Sequence, residues 1–118
     1  MDVILYGISS CDTVRKAKKW LDNAGIEYRF HDFRKDGLES PLLETFVKEL
    51  GWEALLNKRG TTFRQLPEEK KQDLDEAKAL ALMLDAPAMI KRPVLQHGTH
   101  YMVGFKAELY QQALTQGA

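Results

Sequence analysis

One side chain stands out for the chemistry that it could do: Cys11, the only cysteine among the 118 residues. It follows a short apolar run at residues 3–6, and apolar residues at helical spacing begin again at Val14. This pattern predicts a strand, a turn and the start of a helix. Backbone N–H groups and the helix dipole stabilise an anion there. A cysteine so placed has a lowered pKa and reacts as the thiolate, which is the nucleophilic form.

Arg15 lies four residues after Cys11 and therefore shares its face of the predicted helix. Its positive charge would favour the thiolate further. A lone cysteine has a second interpretation, as an inert, small apolar side chain in the core. The residues flanking this cysteine are polar: Ser9, Ser10, Asp12 and Thr13. Polar side chains seldom surround a cysteine that is buried in an apolar core, so these neighbours favour the interpretation of Cys11 as a nucleophile.

A second, resolving cysteine is absent from the first helical turn. A dithiol oxidoreductase would carry cysteine where Val14 stands. Any covalent adduct on Cys11 must therefore be released by an outside thiol, such as glutathione or a partner protein.

Several basic residues elsewhere are candidates for binding an anion. Arg92 and Pro93 precede a predicted strand, and proline is tolerated at a strand's first position. The pair is therefore interpreted either as a simple strand start or, with Lys91, as part of an anion site. A polar loop carries three more cations, which are either anion ligands or solvated surface: Lys58, Arg59 and Arg64.

Two halves of an α/β fold are predicted around a helical middle. Residues 3–6 and 27–31 read as strands on either side of the first helix, which Gly25 ends, and a βαβ unit implies a parallel pair. Near the other end, residues 94–96 and 101–103 predict an antiparallel hairpin, followed by a closing helix from Ala107.

The middle of the chain predicts helices and one polar loop. A helix is expected over residues 40–50, a short helical turn at 52–56, a loop at 57–62, and one helical stretch from Pro67 to Pro87. The order is that of a thioredoxin-like fold with a helical insertion between its halves. We expect a single domain, 1–118, with its core at about 1–33 and 90–118 and the insertion at about 34–89.

Composition excludes several classes of function. Lys and Arg together number 17, as do Asp and Glu, so the net charge gives no support for nucleic-acid binding, and only a local basic patch is left open. No basic leader opens the sequence and no apolar run is long enough to cross a bilayer, so a cytoplasmic protein with a reduced cysteine is expected. The histidines lack metal-like spacing and are predicted at the surface: His31, His97 and His100.

The sequence around Cys11 resembles the arsenate reductase (ArsC)/Spx family. The matching stretches are residues 5–17, 55–60 and 90–94, and residues 28–32, 50–56 and 60–62 resemble its YffB-like branch. The series follows the family's order along nearly the whole chain. The resemblance implies a thioredoxin-like core with a helical insertion. It further implies that Cys11 is the catalytic thiol, that Pro93 is a cis-proline facing it, and that Arg92 binds an anionic substrate or glutathione.

Three departures from the arsenate-reducing relatives set the expected activity. Those relatives carry a histidine where Gly7 stands and arginines where Asn57 and Gly104 stand, with Arg59 and Lys106 as nearby substitutes here. Resemblance to the YffB-like branch implies an oxidoreductase, a glutathione-dependent monothiol reductase that is poor with arsenate.

The expected site has two parts. Cys11 and Arg15 do the chemistry, and a second group binds substrate or glutathione: Arg92, Pro93, Arg59, Asn57, Lys58 and Lys106. Glutathione is expected as cosubstrate, with no bound cofactor and no metal. The expected partners are glutathione or an oxidised thiol, with glutaredoxin as a further candidate, and neither nucleic acid nor membrane.

An alternative of a different class stays open. The Spx regulators, which bind RNA polymerase, share the Arg15-Lys16-Ala17 stretch and the Arg-Pro pair. Most carry a Cys-x-x-Cys switch, which Val14 excludes here. The alternative is therefore a polymerase-binding regulator that lacks the redox switch.

Overall fold

The computed structural model describes residues 3–115, which divide into two compact units. Unit 1 comprises the described residues up to Asp36 and from Arg92 onward, and unit 2 comprises Gly37–Lys91. No helix among the described residues is long and apolar enough to span a membrane.

Unit 1 begins with the predicted strand–helix–strand unit. Strand β1 (Val3–Gly7) is followed by helix α1 (Asp12–Asn23) and strand β2 (Arg29–Asp32). The two strands pair in parallel, with Leu5 opposite Phe30. The apolar run dictates a buried β1, and Gly25, at φ 71°, takes the left-handed conformation just after α1 ends.

Unit 2 is helical. Its helices are α2 (Ser40–Leu50), α3 (Trp52–Leu55), α4 (Thr61–Arg64), α5 (Glu68–Lys71) and α6 (Glu76–Asp85), followed by a 3-10 turn, Pro87–Met89. Apolar side chains from three of these helices are fully buried, among them Phe46, Leu55 and Met83.

Two predictions for this unit were wrong in detail. The stretch from Pro67 to Pro87 is not one helix, because Asp75 caps α6 by accepting a hydrogen bond from the Lys78 N–H at 2.8 Å. Asp73, at φ 52°, takes a left-handed conformation within the break. The predicted polar loop also gives way to α4 at Thr61, where the buried ring of Phe63 holds the turn.

The chain ends in a hairpin and a helix, as predicted. Strands β3 (Val94–His97) and β4 (His100–Val103) pair antiparallel, and helix α7 (Ala107–Thr115) follows. Strand β3 also pairs antiparallel with β1, so the sheet order is β2-β1-β3-β4. The α/β, thioredoxin-like topology with helices inserted between its halves is therefore confirmed.

The core of unit 1 lies where α1 and α7 supply side chains to the sheet. Its buried members are Val3, Leu5, Val14, Ala17, Leu21, Leu95 and Tyr110. Cys11 is partly buried and packs against this cluster. The same packing that builds the core thus places the cysteine beyond the carboxyl end of β1, an interior strand of the sheet.

Candidate functional site

The cysteine stands at the junction between β1 and α1. Cys11 is the N-cap of α1, in extended conformation at φ −80° and ψ 128°, and its N–H donates to the Ile8 carbonyl at 3.0 Å. Gly7 lets the helix approach closely, since a Cβ at that position would lie 2.7 Å from Cγ2 of Val14. The chain therefore turns tightly from the strand into the helix, as the sequence predicts.

The thiol is poised to ionise. Burial alone would raise the pKa of Cys11, but the Val14 N–H, the Arg92 guanidinium, the Thr13 N–H and the positive charge of Arg92 together hold that pKa below its usual value. The side chain makes no capping hydrogen bond. Because N–H groups and a positive charge stabilise an anion more than a neutral thiol, these groups favour the nucleophilic thiolate.

Arg92 and Pro93 come to this place from the far end of the chain. Their peptide bond is cis, as predicted, and Pro93 is buried. The Pro93 carbonyl accepts from the Gly104 N–H at 2.8 Å, which ties the start of β3 to the end of β4. Since β3 pairs with β1, the sheet itself brings the Arg92 guanidinium to the Cys11 sulfur.

Arg15 has different neighbours from those that the sequence suggests. Its guanidinium lies 3.3 Å from the Asp12 carboxylate and donates to the Ser10 carbonyl at 3.1 Å. The arginine that lowers the pKa of Cys11 is Arg92. A part for Arg15 in catalysis stays a prediction.

The remaining candidates divide between the two units. Lys106 is exposed in unit 1, and its carbonyl accepts from the Tyr110 N–H at the start of α7. Asn57, Lys58 and Arg59 belong to unit 2. There the Asn57 side chain accepts from the Arg59 N–H at 3.2 Å, and the ammonium of Lys58 lies 5.6 Å from the Trp52 ring centre. Their part in binding a ligand stays a prediction.

The histidines were predicted at the surface, and His100 is exposed, whereas His97 and His31 are half-buried. His97 and His100 are strand residues that pair across the hairpin. His31 is half-buried, and its ring centre lies 5.2 Å from that of Tyr6. Within residues 3–115 no group of three or more His, Cys, Asp or Glu side chains is placed to hold a metal ion.

Sequence reasoning missed Asp32, whose buried carboxylate accepts from the Ser9 N–H at 3.3 Å. The sequence does contain a signal for this residue. Asp32 is an acidic residue at the carboxyl end of a strand parallel to β1, and the carboxyl ends of parallel strands lie side by side at one end of the sheet.

Comparison with known proteins agrees with this architecture. The chain is 42% identical over 111 residues to a protein of Haemophilus influenzae, covering 94% of this chain and 97% of that one. A solved structure of a YffB protein is 50% identical, with a TM-score of 0.92, covering 96% of this chain and 99% of the other. The global transcriptional regulator Spx of Lactiplantibacillus plantarum is 27% identical over 108 residues, covering 90% of this chain and 81% of the regulator.

The model of the ArsC family matches residues 6–113, a range that includes Cys11, Arg92, Pro93 and the helical insertion. The chain therefore belongs to the ArsC family.

Proposed function

We propose that this protein is a monothiol thiol-disulfide oxidoreductase that uses glutathione as its cosubstrate. The observation that carries the proposal is the Cys11 thiol at the start of α1, with its pKa lowered by first-turn N–H groups and by Arg92. A partly exposed thiolate of this kind attacks disulfides, and its thiolate is also a good leaving group.

The reaction proceeds in two exchanges. The Cys11 thiolate attacks the glutathionyl sulfur of a mixed disulfide, forming a Cys11–glutathione disulfide and releasing the substrate's sulfur as a thiolate. A second glutathione thiolate then attacks that adduct, forming oxidised glutathione and restoring the Cys11 thiolate. Cys11 is the only cysteine in the chain, so both the adduct and its release involve external thiols.

Binding of the peptide is assigned to the cations that the sequence singled out. Glutathione carries two carboxylates along an extended backbone, and Arg92 is the cation beside the sulfur. Lys106, Lys58 and Arg59, the other cations that the sequence singled out, are proposed as further carboxylate partners. Glutaredoxin is proposed as an alternative thiol donor for the second exchange.

Arsenate is proposed to be a poor substrate. A small, highly charged oxyanion requires several donors that converge on it. At the places where arsenate-reducing relatives have a histidine and two arginines, this chain has Gly7, Asn57 and Gly104, none of which is charged. The larger glutathione molecule depends less on such convergence.

The deciding experiment starts with mass spectrometry of the native protein after exposure to oxidised glutathione. We expect one glutathione adduct, located on Cys11 and absent from Cys11→Ser. Turnover of a glutathionylated peptide with reduced glutathione is then compared with arsenate turnover at the same enzyme concentration. Arsenate turnover without disulfide reduction would reverse the substrate assignment. Silence in both assays, together with RNA polymerase binding that survives in Cys11→Ser, would favour the Spx-like alternative.

A further inference from the structure

A buried carboxylate lies next to the segment that leads to Cys11. Asp32, the last residue of β2, is 3% exposed and is the one buried charged residue among those that the structure describes. Its Oδ1 accepts from the N–H groups of Arg34 at 2.8 Å and Lys35 at 3.3 Å, and its Oδ2 accepts from the N–H of Ser9 at 3.3 Å. Burying a charge costs free energy unless such partners compensate for it.

The contact with Ser9 joins two elements that are far apart in sequence. Ser9 belongs to the turn between β1 and α1, which ends at Cys11. The Phe33 N–H donates to the Gly7 carbonyl at 2.8 Å, which holds the start of that turn to the end of β2. Asp32 holds the middle of the same turn, at Ser9. The carboxylate therefore helps to fix the position from which the chain enters α1.

We propose that Asp32 is a positioning residue of the Cys11 site, whose carboxylate holds Ser9 and thereby keeps the Cys11 sulfur at the first-turn N–H groups of α1. The proposal rests on the proposed function in one respect, that Cys11 reacts as a thiolate. When the turn loosens, the sulfur spends less time at the Thr13 and Val14 N–H groups, and the thiolate loses stabilisation.

The electrostatics of Asp32 support this arrangement. Burial would raise the pKa of Asp32, but hydrogen bonds from the N–H groups of Arg34, Lys35 and Ser9 and from the Ser9 hydroxyl hold it below its usual value. The side chain is therefore ionised at neutral pH, and a carboxylate accepts more strongly than a neutral acid.

The test is Asp32→Asn, which removes one acceptor and keeps the shape. With its oxygen at the Oδ1 position the amide still accepts from Arg34 and Lys35, while its NH2 group faces the Ser9 N–H and cannot accept from it. In the opposite orientation of the amide, the hydrogen bonds from Arg34 and Lys35 are lost and only the one from Ser9 is kept. In the first orientation, which loses one hydrogen bond instead of two, the variant thus preserves the turn after β2 and removes the acceptor of the Ser9 N–H.

The readout is the rate of Cys11 alkylation by iodoacetamide against pH. We expect the profile of Asp32→Asn to move to higher pH, with the rate at pH 7 lowered about threefold, as for the loss of one modest hydrogen bond. The direction is diagnostic, since removing a negative charge would by itself lower the pKa of a nearby thiol. A shift to lower pH, or an unchanged profile in a folded variant, would overturn the proposal.

Asp36→Asn is the matched control. The Asp36 carboxylate accepts from the Asp32 N–H at 3.0 Å in the same turn, and its side chain is exposed. The control variant removes the same charge from the same turn. Because the Asp36 side chain is exposed, its charge is screened by solvent, and we expect the Cys11 profile to stay as in the wild type. An equal shift in both variants would mean that the turn as a whole matters, and would overturn the assignment to Asp32.

A measurement on the unmodified protein covers the case in which Asp32→Asn does not fold. The amide proton shift of Ser9, followed by NMR through the acid range, should titrate together with the Asp32 side-chain carbon. A Ser9 amide that ignores this titration would overturn the proposal. Neither readout requires disulfide turnover, so a protein inactive in glutathione assays would refute the proposed function and leave this test intact.

Discussion

Replacing Arg92 by glutamine should make Cys11 markedly less reactive at neutral pH. The guanidinium lowers the pKa of Cys11 both as a hydrogen-bond donor and as a positive charge. A hydrogen bond to a charged group contributes about 1.5–3 kcal/mol, and partial exposure of the sulfur reduces this to about 1 kcal/mol by solvent screening. At a pH below the thiol pKa, about 1 kcal/mol corresponds to about fivefold less thiolate.

Arg15→Gln provides the comparison. That guanidinium is 63% exposed and lies 3.3 Å from the Asp12 carboxylate, whose side chain is 86% exposed. An exposed pair of this kind contributes little, so we expect less than about a twofold change in Cys11 reactivity. The two variants lose the same charge, and they differ in whether that charge reaches the sulfur.

The assay is the second-order rate constant for iodoacetamide at a series of pH values, with Cys11→Ser as the blank. The Arg92→Gln profile should move to higher pH and approach the wild-type rate at alkaline pH, where both thiols are ionised. There the more basic thiolate is also slightly more nucleophilic. A larger effect from Arg15→Gln than from Arg92→Gln would refute the reasoning.

Three further outcomes are expected. The pKa of Asp32 is lowered in the folded chain. Its carboxylate should therefore contribute fully to stability above the unfolded pKa of about 3.9, and this contribution should be lost as the pH falls through the folded pKa. In urea titrations, the free energy of unfolding should differ less between pH 6 and pH 3 in Asp32→Asn than in the wild type. Tyr110→Phe removes the 2.8 Å hydrogen bond to the Gly104 carbonyl, so the free energy of unfolding should fall by about 1–2 kcal/mol in denaturant titrations; an unchanged value would contradict this. Gly7→Ala places a Cβ 2.7 Å from Cγ2 of Val14. This overpacking should lower the free energy of unfolding by about 1–3 kcal/mol in denaturant titrations. A stabilised variant would show that α1 can move away freely.

Local patterns predicted most of the fold. The apolar run of β1, the spacing of α1 and the glycine after it are short-range signals, and the structure has these elements where the sequence indicates. The break before α6 was missed for a physical reason. Asp75 looks like any acidic residue in a charged stretch, and its capping role depends on its hydrogen bond to the Lys78 N–H.

The site was predicted only in part, because local patterns place Cys11 but not the residues that reach it from distant parts of the chain. A strand, a turn and a helix in sequence order place Cys11 at a helix start, and the structure has it there. The neighbouring charge was assigned to Arg15, which is close in sequence. Arg92 reaches the sulfur only because β3 pairs with β1, and strand order is a long-range property that local spacing does not encode.

The position of Cys11 as the first residue before α1 links the sulfur's oxidation state to the integrity of a helix. A neutral or derivatised sulfur is a weak acceptor and leaves the first-turn N–H groups of α1 without the anion that best satisfies them. An adduct that finds no equivalent contacts forgoes this stabilisation, so its formation from the thiolate is less favourable by the corresponding free energy. The free thiolate is therefore the form of Cys11 that the N-terminus of α1 favours most, and a thiol that resolves an adduct on Cys11 works in the direction that this helix end favours.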